Sequence, residues 1–400
     1  FNVLNYWTSL DDGTNPGARG ADSAEELVRQ TDKLVAGLRG LGADVVGLQE
    51  LENNGPAAIG ALVDALNAAA DPGETWAAVA DPDYPGGLES TNAIKVGIIY
   101  RSDRVSPVGA SAASLDEDFA LDRPPVAQTF EVGGETFTVI SNHFKSKSCS
   151  DTAPGEPFPD EADIGDGQAC FNPRRTRQAE ALLDFVAELQ EATGDPDVIA
   201  VGDFNSYAQE DPIRTLRGGG LVDLTASTAQ SDRYSFVFFG QSGQLDYAFA
   251  TDELATKITG ADFWHNNVDE PRFLDYNTET NPPDAYAPDQ YRSSDHDPLV
   301  VGIGAEMLPP LAAIEMAIAD LEALDATGSD AVAIARALRD LRAAADPDLW
   351  VDDAHVTKQR VYVELLRAVK QLSKVKGVDV DPQIHKLLGA AEDLSRMAID

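Results

Sequence analysis

The sequence predicts an α/β domain over residues 1–304 followed by a helical module over residues 305–400. Three observations carry this reading. At 400 residues the chain is longer than one hydrophobic core usually organises. Its first three hundred residues alternate short apolar strands with helical stretches and Gly/Pro/Asp loops. Near MLPPL (307–311) that alternation gives way to helical spacing alone.

The expected strands are FNVLNY (1–6), ADVVGL (43–48), IKVGIIY (94–100), TFTVIS (136–141), DVIAV (197–201), LDYAFA (245–250) and PLVVGI (298–303). Helical spacing predicts 23–40, where Leu27, Leu34 and Leu38 share a face, then 55–69, then 173–191 with Ala179, Leu182, Leu183, Val186 and Leu189 inward. In the C-terminal part, Ile314, Ile318, Leu321 and Leu324 recur at helical intervals. So do Leu338 and Leu341, then Leu365, Val369 and Leu372, then Ile384, Leu387 and Leu388. Breaks at TGSD (327–330), DPDLW (346–350) and KGVDVDP (376–382) divide this part into four helices. His355 and His385 lie outside any ligand motif and are read as surface or packing residues.

Composition narrows the class. The apolar fraction of 43% and charged fraction of 24% belong to a soluble globular chain, and no apolar run approaches the ~20 residues of a membrane span. The chain opens inside a strand without an initiator Met, so removal of a signal peptide or upstream domain is expected. The formal net charge is −38; residues 305–400 hold 17 acids against 11 bases, which leaves −32 on residues 1–304. Such a surface repels polyanions unless cations intervene. It suits a saline habitat and equally suits bound divalent ions. Cys149 and Cys170 bracket an acidic loop with no third cysteine, which argues against a thiolate zinc site. A disulfide in a secreted protein is the better reading, with two free cytosolic thiols as the alternative.

Polar residues gather at the strand ends. VVGLQEL ends in Gln49 and Glu50; VIAVGDFNS delivers Asp203 and Asn205; TVISNHFKSK delivers Asn142 and His143, then Lys145 and Lys147. The first strand carries Asn5, LDYAF starts with Asp246, and SSDHDPLVVG sets Asp295 and His296 before the last strand. Acids are disfavoured in buried strands unless paired or metal-bound, so six strands ending this way predict a shared rim. Glu50, Asn5, Asp295 and Asp203 offer hard oxygen ligands suited to Mg²⁺, Mn²⁺ or Ca²⁺. His143 and His296 can move protons near neutral pH. There is no GxSxG or Cys-His nucleophile, no Walker loop and no flanked GxGxxG. Carboxylate-held metal with two histidines suits attack of water on a phosphate ester.

QE in VVGLQELEN, NHF in SNHFKSK, GDFN in AVGDFNSY, LDY in QLDYAF and SDHDP in YRSSDHDPLVVG together resemble the signature of the endonuclease/exonuclease/phosphatase superfamily. FNVLNYW, the NHFKSK form of the histidine motif and the cysteine-bearing loop before RRTRQA look more narrowly like its secreted bacterial extracellular endonucleases. The resemblance spans residues 1 to 303 and implies a four-layered α/β sandwich, two packed and mainly antiparallel sheets flanked by helices. It implies Glu50 as principal metal ligand, with Asn5 and Asp295 in support and Asp203 orienting water or touching a second metal. Asn205 would bind a phosphate oxygen, His296 would be the general base held by Asp246, and His143 would serve a phosphoryl oxygen or the leaving group. The cofactor implied is Mg²⁺ or Mn²⁺, with Ca²⁺ as a structural or activating ion. In the pancreatic-type pattern a glutamate on the strand matching IKVGIIY orients the histidine matching His143. Here that strand offers only Asn92 and Lys95 nearby.

Each residue alone has a plainer use. Glu50 could cap a loop, Asp203 and Asn205 could form an Asx-turn, and His143 could be a core histidine; Asp297 is read as turn chemistry. Lys145 and Lys147, two of five lysines before residue 304, are expected phosphate contacts or loop residues. Arg174, Arg175 and Arg177 open a helix against its macrodipole, which suggests an anionic partner for Arg174 and Arg177, with helix-face salt bridges as the alternative. The reading is a secreted, monomeric, metal-dependent nuclease acting on DNA, with RNA left open as a further substrate, and with little sequence preference. A phosphomonoesterase or phospholipid phosphodiesterase is the second reading, and an inert metal-binding surface protein the third. The C-terminal helices are left as a tether, a partner- or cell-surface-contact module, or a spacer.

Overall fold

The computed structural model describes residues 1–304 except 16, 280, 283 and 284, and beyond them 310–324, 326–346, 349, 355–376, 378, 380, 383, 384, 387 and 391. The chain divides into two compact units. One comprises Phe1–Asp103, Pro107–Phe130 and Phe137–Gly304; the other comprises Arg104–Ser106, Glu131–Thr136 and Ala305–Asp400.

In chain order the elements are β1 (Asn2–Tyr6), α1 (Ala24–Leu41), β2 (Val45–Glu52), α2 (Ala57–Ala69), β3 (Trp76–Ala78), β4 (Ile94–Arg101), β5 (Ser106–Ala113) and β6 (Val126–Val132). There follow β7 (Glu135–His143), α3 (Asn172–Thr193), β8 (Val198–Asp203), α4 (Asp211–Gly218), β9 (Val222–Asp223), β10 (Phe236–Phe238) and β11 (Gln241–Gly243). The first unit closes with β12 (Asp246–Ala250), α5 (Asp252–Ala255), β13 (Ile258–Phe263) and β14 (Leu299–Ile303). The seven expected strands and three expected helices of this region are all present. The sequence pattern missed β3, β5, β6, β9, β10, β11 and β13, and the short helices α4 and α5. β5 shows why: SPVGASAA is small-residued and half exposed, so it carries no apolar alternation.

Two sheets face one another. One runs β1-β2-β4-β3 and the other β5-β6-β7-β8-β12-β9. Gly47 marks the close approach, where an added Cβ would meet Val201 Cγ2 at 3.0 Å and Ser141 Oγ at 3.1 Å. Gln49 Nε2 donates to Ser141 Oγ across the same gap at 3.0 Å. On the other side of the first sheet, Leu34 and Leu38 of α1 and Ile59, Leu62 and Leu66 of α2 pack with Val3, Val46 and Ile99. On the second, Leu182 and Val186 of α3 and Ile213 and Leu216 of α4 pack with Ile140, Val198 and Phe249. The layers are therefore helix, sheet, sheet, helix, as expected.

Gly202, at φ 136°, cannot carry a side chain, because its Cβ would overlap the Asn142 carbonyl oxygen on the neighbouring strand. Gly202→Ala is expected to lose on the order of 4 kcal/mol of stability, from a forbidden φ combined with a backbone clash that cannot relax. A urea titration checks this; a midpoint equal to wild type would contradict the close β7–β8 approach.

The second unit contains α6 (Pro310–Ala323), α7 (Gly328–Ala344) and α8 (His355–Leu372). Ile314 and Leu321, Ile334 and Leu341, and Leu365 and Leu372 meet in one apolar core; the helical spacing predicted all of them except Ile334, and the expected Leu338 packs against that core only partly buried. The fourth expected helix, about Ile384, Leu387 and Leu388, falls largely outside the described residues, as does His385. Among the described residues no helix is long and apolar enough to cross a membrane.

Candidate active site

Sheet register assembles half of the site. His143 lies opposite Asp203 across the parallel β7–β8 pair, and Asp246 lies opposite Asp203 across the antiparallel β8–β12 pair. Three polar side chains thus end three adjacent central strands at one level, and all three are buried.

Broken strands supply the other half. β2 carries one extra residue between Leu48 and Leu51 relative to β4, and Glu50 sits in that bulge at φ 68°. β1 breaks beside it, with Leu4 at φ 53° and Asn5 at φ 47°. Bulges of this kind re-aim side chains, and left-handed non-glycine residues cost energy that functional sites tolerate. The Asn5 N–H donates to Glu50 Oε2 at 2.9 Å, and Asn2 Nδ2 donates to Glu50 Oε1 at 3.2 Å and to Asp203 Oδ2 at 3.4 Å.

Asn2 was not among the residues expected from sequence. It is fully buried and ties the two sheets together at the site; Ser294 Oγ donates to its carbonyl at 2.6 Å. Ser294 Oγ also accepts from the His296 N–H at 3.2 Å, fixing the turn that presents His296. The Asn2→Ala variant is expected to lower metal affinity about 10–100-fold, the usual effect of removing a group that orients a ligand. Activity titrated against Mn²⁺ checks it, and an unchanged half-saturating concentration would contradict the role.

His296 Nδ1 lies 2.7 Å from Asp246 Oδ2, and its Nε2 lies 3.8 Å from Asp203 Oδ2. Burial alone would lower its pKa, but the carboxylates of Asp246, Asp203 and Asp295 raise it well above the ordinary imidazole value. His143 Nε2 is 3.6 Å from Asp203 Oδ2. Burial, then the charges of Arg123 and His296, hold its pKa well below the ordinary value, so it is neutral at neutral pH. Its Nδ1 is buried without a hydrogen-bond partner among the described residues. Neither Asn92 nor Lys95 fills that place: Asn92 donates to the Leu121 carbonyl, and Lys95 pairs with Asp81 and the Gly55 carbonyl.

Burial is also the main reason Asp203 is raised to about 7, with Asp246 and Glu50 adding to it and His296 opposing. Glu50 is raised by burial and by Asp295. Asp203 Oδ1 accepts from the Asn205 N–H at 2.8 Å, the Asx-turn considered above, and Asn205 Nδ2 donates to the Phe144 carbonyl at 3.1 Å. Asn205 itself is left-handed at φ 48°.

The donor set fits a hard divalent cation. Glu50 and Asp295 repel one another, and Asn5 Oδ1 is buried with no hydrogen-bond partner among the described residues. A separate acidic trio, Asp22, Glu26 and Glu279, brings carboxylate oxygens within 4.8 Å of one another. There Glu26 is taken up by hydrogen bonds from Thr278 and the Asp22 N–H, so the trio serves the loop structure. Asp297 is likewise committed, accepting from Asn267 and Val268 and meeting His265, which agrees with its reading as turn chemistry.

The expected phosphate contacts divide. The Lys145 ammonium lies 4.4 Å from the Phe171 ring centre. Lys147, by contrast, is ion-paired with Glu210 and hydrogen-bonded to the Gln168 carbonyl. Arg174 is buried over the Phe158 and Phe171 rings near Glu161 and Asp122, and Arg177 pairs with Asp118 and Glu161. Lys147, Arg174 and Arg177 are thus each held by ion pairs within the fold, and for the two arginines these acids answer the charge they set against the helix macrodipole. Cys149 and Cys170 form a disulfide, and the fully buried Arg175 binds the Cys170, Gln168 and Lys145 carbonyls, anchoring that loop. Arg123, also unforeseen, is buried and donates to the Phe144 carbonyl, and its charge acts on Glu50, Asp203 and His143.

The family model described as the Endonuclease/Exonuclease/phosphatase family matches residues 1–296. No curated protein matches the chain. Solved structures similar to it include an endonuclease/exonuclease/phosphatase from Bacteroides vulgatus, at 15% identity over 76% of this chain and 97% of that one, with a TM-score of 0.45. A mannosyl-6-phosphatase of Bacteroides thetaiotaomicron is 16% identical over 69% of this chain and 91% of its own, with a TM-score of 0.44. The human Nocturnin catalytic domain with bound sulfate is 16% identical over 76% and 93%, with a TM-score of 0.44.

Proposed function

The chain belongs to the endonuclease/exonuclease/phosphatase family, whose members are generally phosphoester hydrolases and typically depend on divalent metals, and from that premise we propose that it is a metal-dependent nuclease. Its substrate is DNA, and RNA as well, cut with little sequence preference outside the cell. The observation that carries this is the His296–Asp246 pair at 2.7 Å, set among Glu50, Asn5, Asp295 and Asp203. The disulfide supports an oxidising compartment.

In this reading His296, held by Asp246, takes a proton from a water positioned by Asp203. The water oxygen attacks phosphorus in line as the bond to the leaving oxygen breaks; that oxygen takes up a proton from solvent, and His296 afterwards returns its own to solvent. Neutral His143 donates its Nε2 proton in a hydrogen bond to a phosphoryl oxygen, and Asn205 supports the same group. Glu50, Asn5 and Asp295 would hold Mg²⁺ or Mn²⁺, whose charge would draw density from the phosphoryl oxygens and oppose the acidic field that keeps His296 protonated. The net charge of −38 disfavours DNA binding outside the cleft.

A substrate panel tests the reading. With Mg²⁺ or Mn²⁺, plasmid DNA and single-stranded RNA should be cleaved far faster than p-nitrophenyl phosphate or phosphatidylcholine is hydrolysed. Hydrolysis of the monoester with intact nucleic acid would instead favour a phosphomonoesterase.

A further inference from the structure

The hairpin β10–β11 is rooted on the site. Phe236 pairs with His296 through an isolated bridge, and their ring centres are 4.8 Å apart. Just before the hairpin, the fully buried Ser235 accepts on its Oγ from the N–H of Asp246, and its carbonyl accepts from the N–H of Asp297. From this root the aromatic rings climb outward. Phe238 stacks on Phe236 at 6.3 Å and 20°, and Phe239 meets Phe238 at 4.5 Å.

The tip is costly for folding alone. Phe238 pairs with Gln241, leaving Phe239-Gly240 as a two-residue loop with φ values of 48° and 76°. That turn favours Asn-Gly or Asp-Gly, because a bulky side chain at positive φ is strained. Here the strained position carries a phenylalanine that is 92% exposed, beside Phe238 at 56%. Neither ring contributes to the core. Residues 234–245 contain no charged side chain, so this tip is an aromatic, uncharged surface in a strongly acidic protein.

We propose that Phe238 and Phe239 form a stacking platform for an unpaired nucleobase next to the scissile phosphate, giving the protein a preference for single-stranded nucleic acid. The proposal rests on the nuclease reading above. A chain with net charge −38 draws little affinity from phosphates, whereas stacking binds the base faces without regard to charge or sequence. A ladder of three ring contacts, 4.8, 6.3 and 4.5 Å between centres, joins that surface to the proposed base. A lipid surface is the less favoured occupant, since an interfacial anchor normally pairs its aromatics with Lys or Arg and the hairpin has none.

The test compares wild type, Phe238→Ala and Phe239→Asn on a short labelled single-stranded oligodeoxynucleotide. A second oligonucleotide, abasic at the residues flanking the cleaved bond, completes the comparison. Phe239→Asn suits the turn, so its melting temperature should match or exceed that of wild type and separate stacking from misfolding. Each variant should lower kcat/KM on the intact strand about tenfold or more, mainly through KM, and should converge with wild type on the abasic strand. An equal penalty on both strands, or none on either, would overturn the platform while leaving the nuclease reading in place. Binding of wild type to phosphatidylcholine vesicles, lost in both variants while cleavage is unchanged, would overturn it in favour of a lipid surface. Failure of wild type to cleave any nucleic acid would instead strike the nuclease reading itself, and the platform with it.

Discussion

Replacing His296 with alanine is expected to cut kcat on DNA by about 10²–10⁴-fold, the usual contribution of a positioned general base. The reason is geometric. His296 is held at Nδ1 by Asp246 and turns Nε2 toward Asp203, and no other described imidazole has a carboxylate at hydrogen-bond distance in the cleft. His143 is a poor substitute, because burial and Arg123 lower its pKa and make it a weak base, and among the described residues its Nδ1 has no partner to orient it. Asp246→Asn should reproduce much of the loss, since an amide neither selects the same tautomer nor stabilises the imidazolium. Steady-state cleavage of a labelled oligonucleotide checks both variants. A His296→Ala enzyme within threefold of wild type would remove the general-base assignment.

Glu50→Gln is expected to reduce activity about a hundredfold or more at fixed metal concentration, because a ligand carboxylate contributes several kcal/mol of charge stabilisation. The same change should not lower the melting temperature of the metal-free protein. Desolvation and the charge of Asp295 raise the Glu50 pKa, so its ionised form opposes folding at neutral pH; a neutral amide removes that cost, which offsets the loss of one of the two accepting oxygens that Asn2 and Asn5 use. Wild type should gain melting temperature on adding Mn²⁺ and the variant should gain little. A variant that binds Mn²⁺ as wild type does would remove Glu50 from the ligand set.

Much of the architecture was readable because the strands that end at the site are central and apolar on both sides. β2, β7, β8 and β12 announce themselves as runs of Val, Ile, Leu and Phe with a polar terminus. The edge strand β5, SPVGASAA, lacks that run, so composition gave no sign of it. Asn2 was missed for a subtler reason. The left-handed break at Leu4 and Asn5 turns the Asn5 N–H to Glu50 while the Asn2 side chain reaches the same carboxylate, and no regular strand pattern announces that pairing. The scarcity of lysines drew attention to Lys147, but its partner Glu210 lies 63 residues away and pairs with it only in the folded chain. Arg123 sits in a loop with no apolar run, and only its buried place beside the Phe144 carbonyl reveals it.

The most direct test of the central claim is nicking of supercoiled plasmid by the wild-type chain with Mg²⁺ or Mn²⁺, with chelator, and by His296→Ala with metal. Cleavage that requires metal, is abolished by chelator and is lost in the variant is the predicted result. Cleavage that persists in chelator, or undiminished in His296→Ala, would contradict the account.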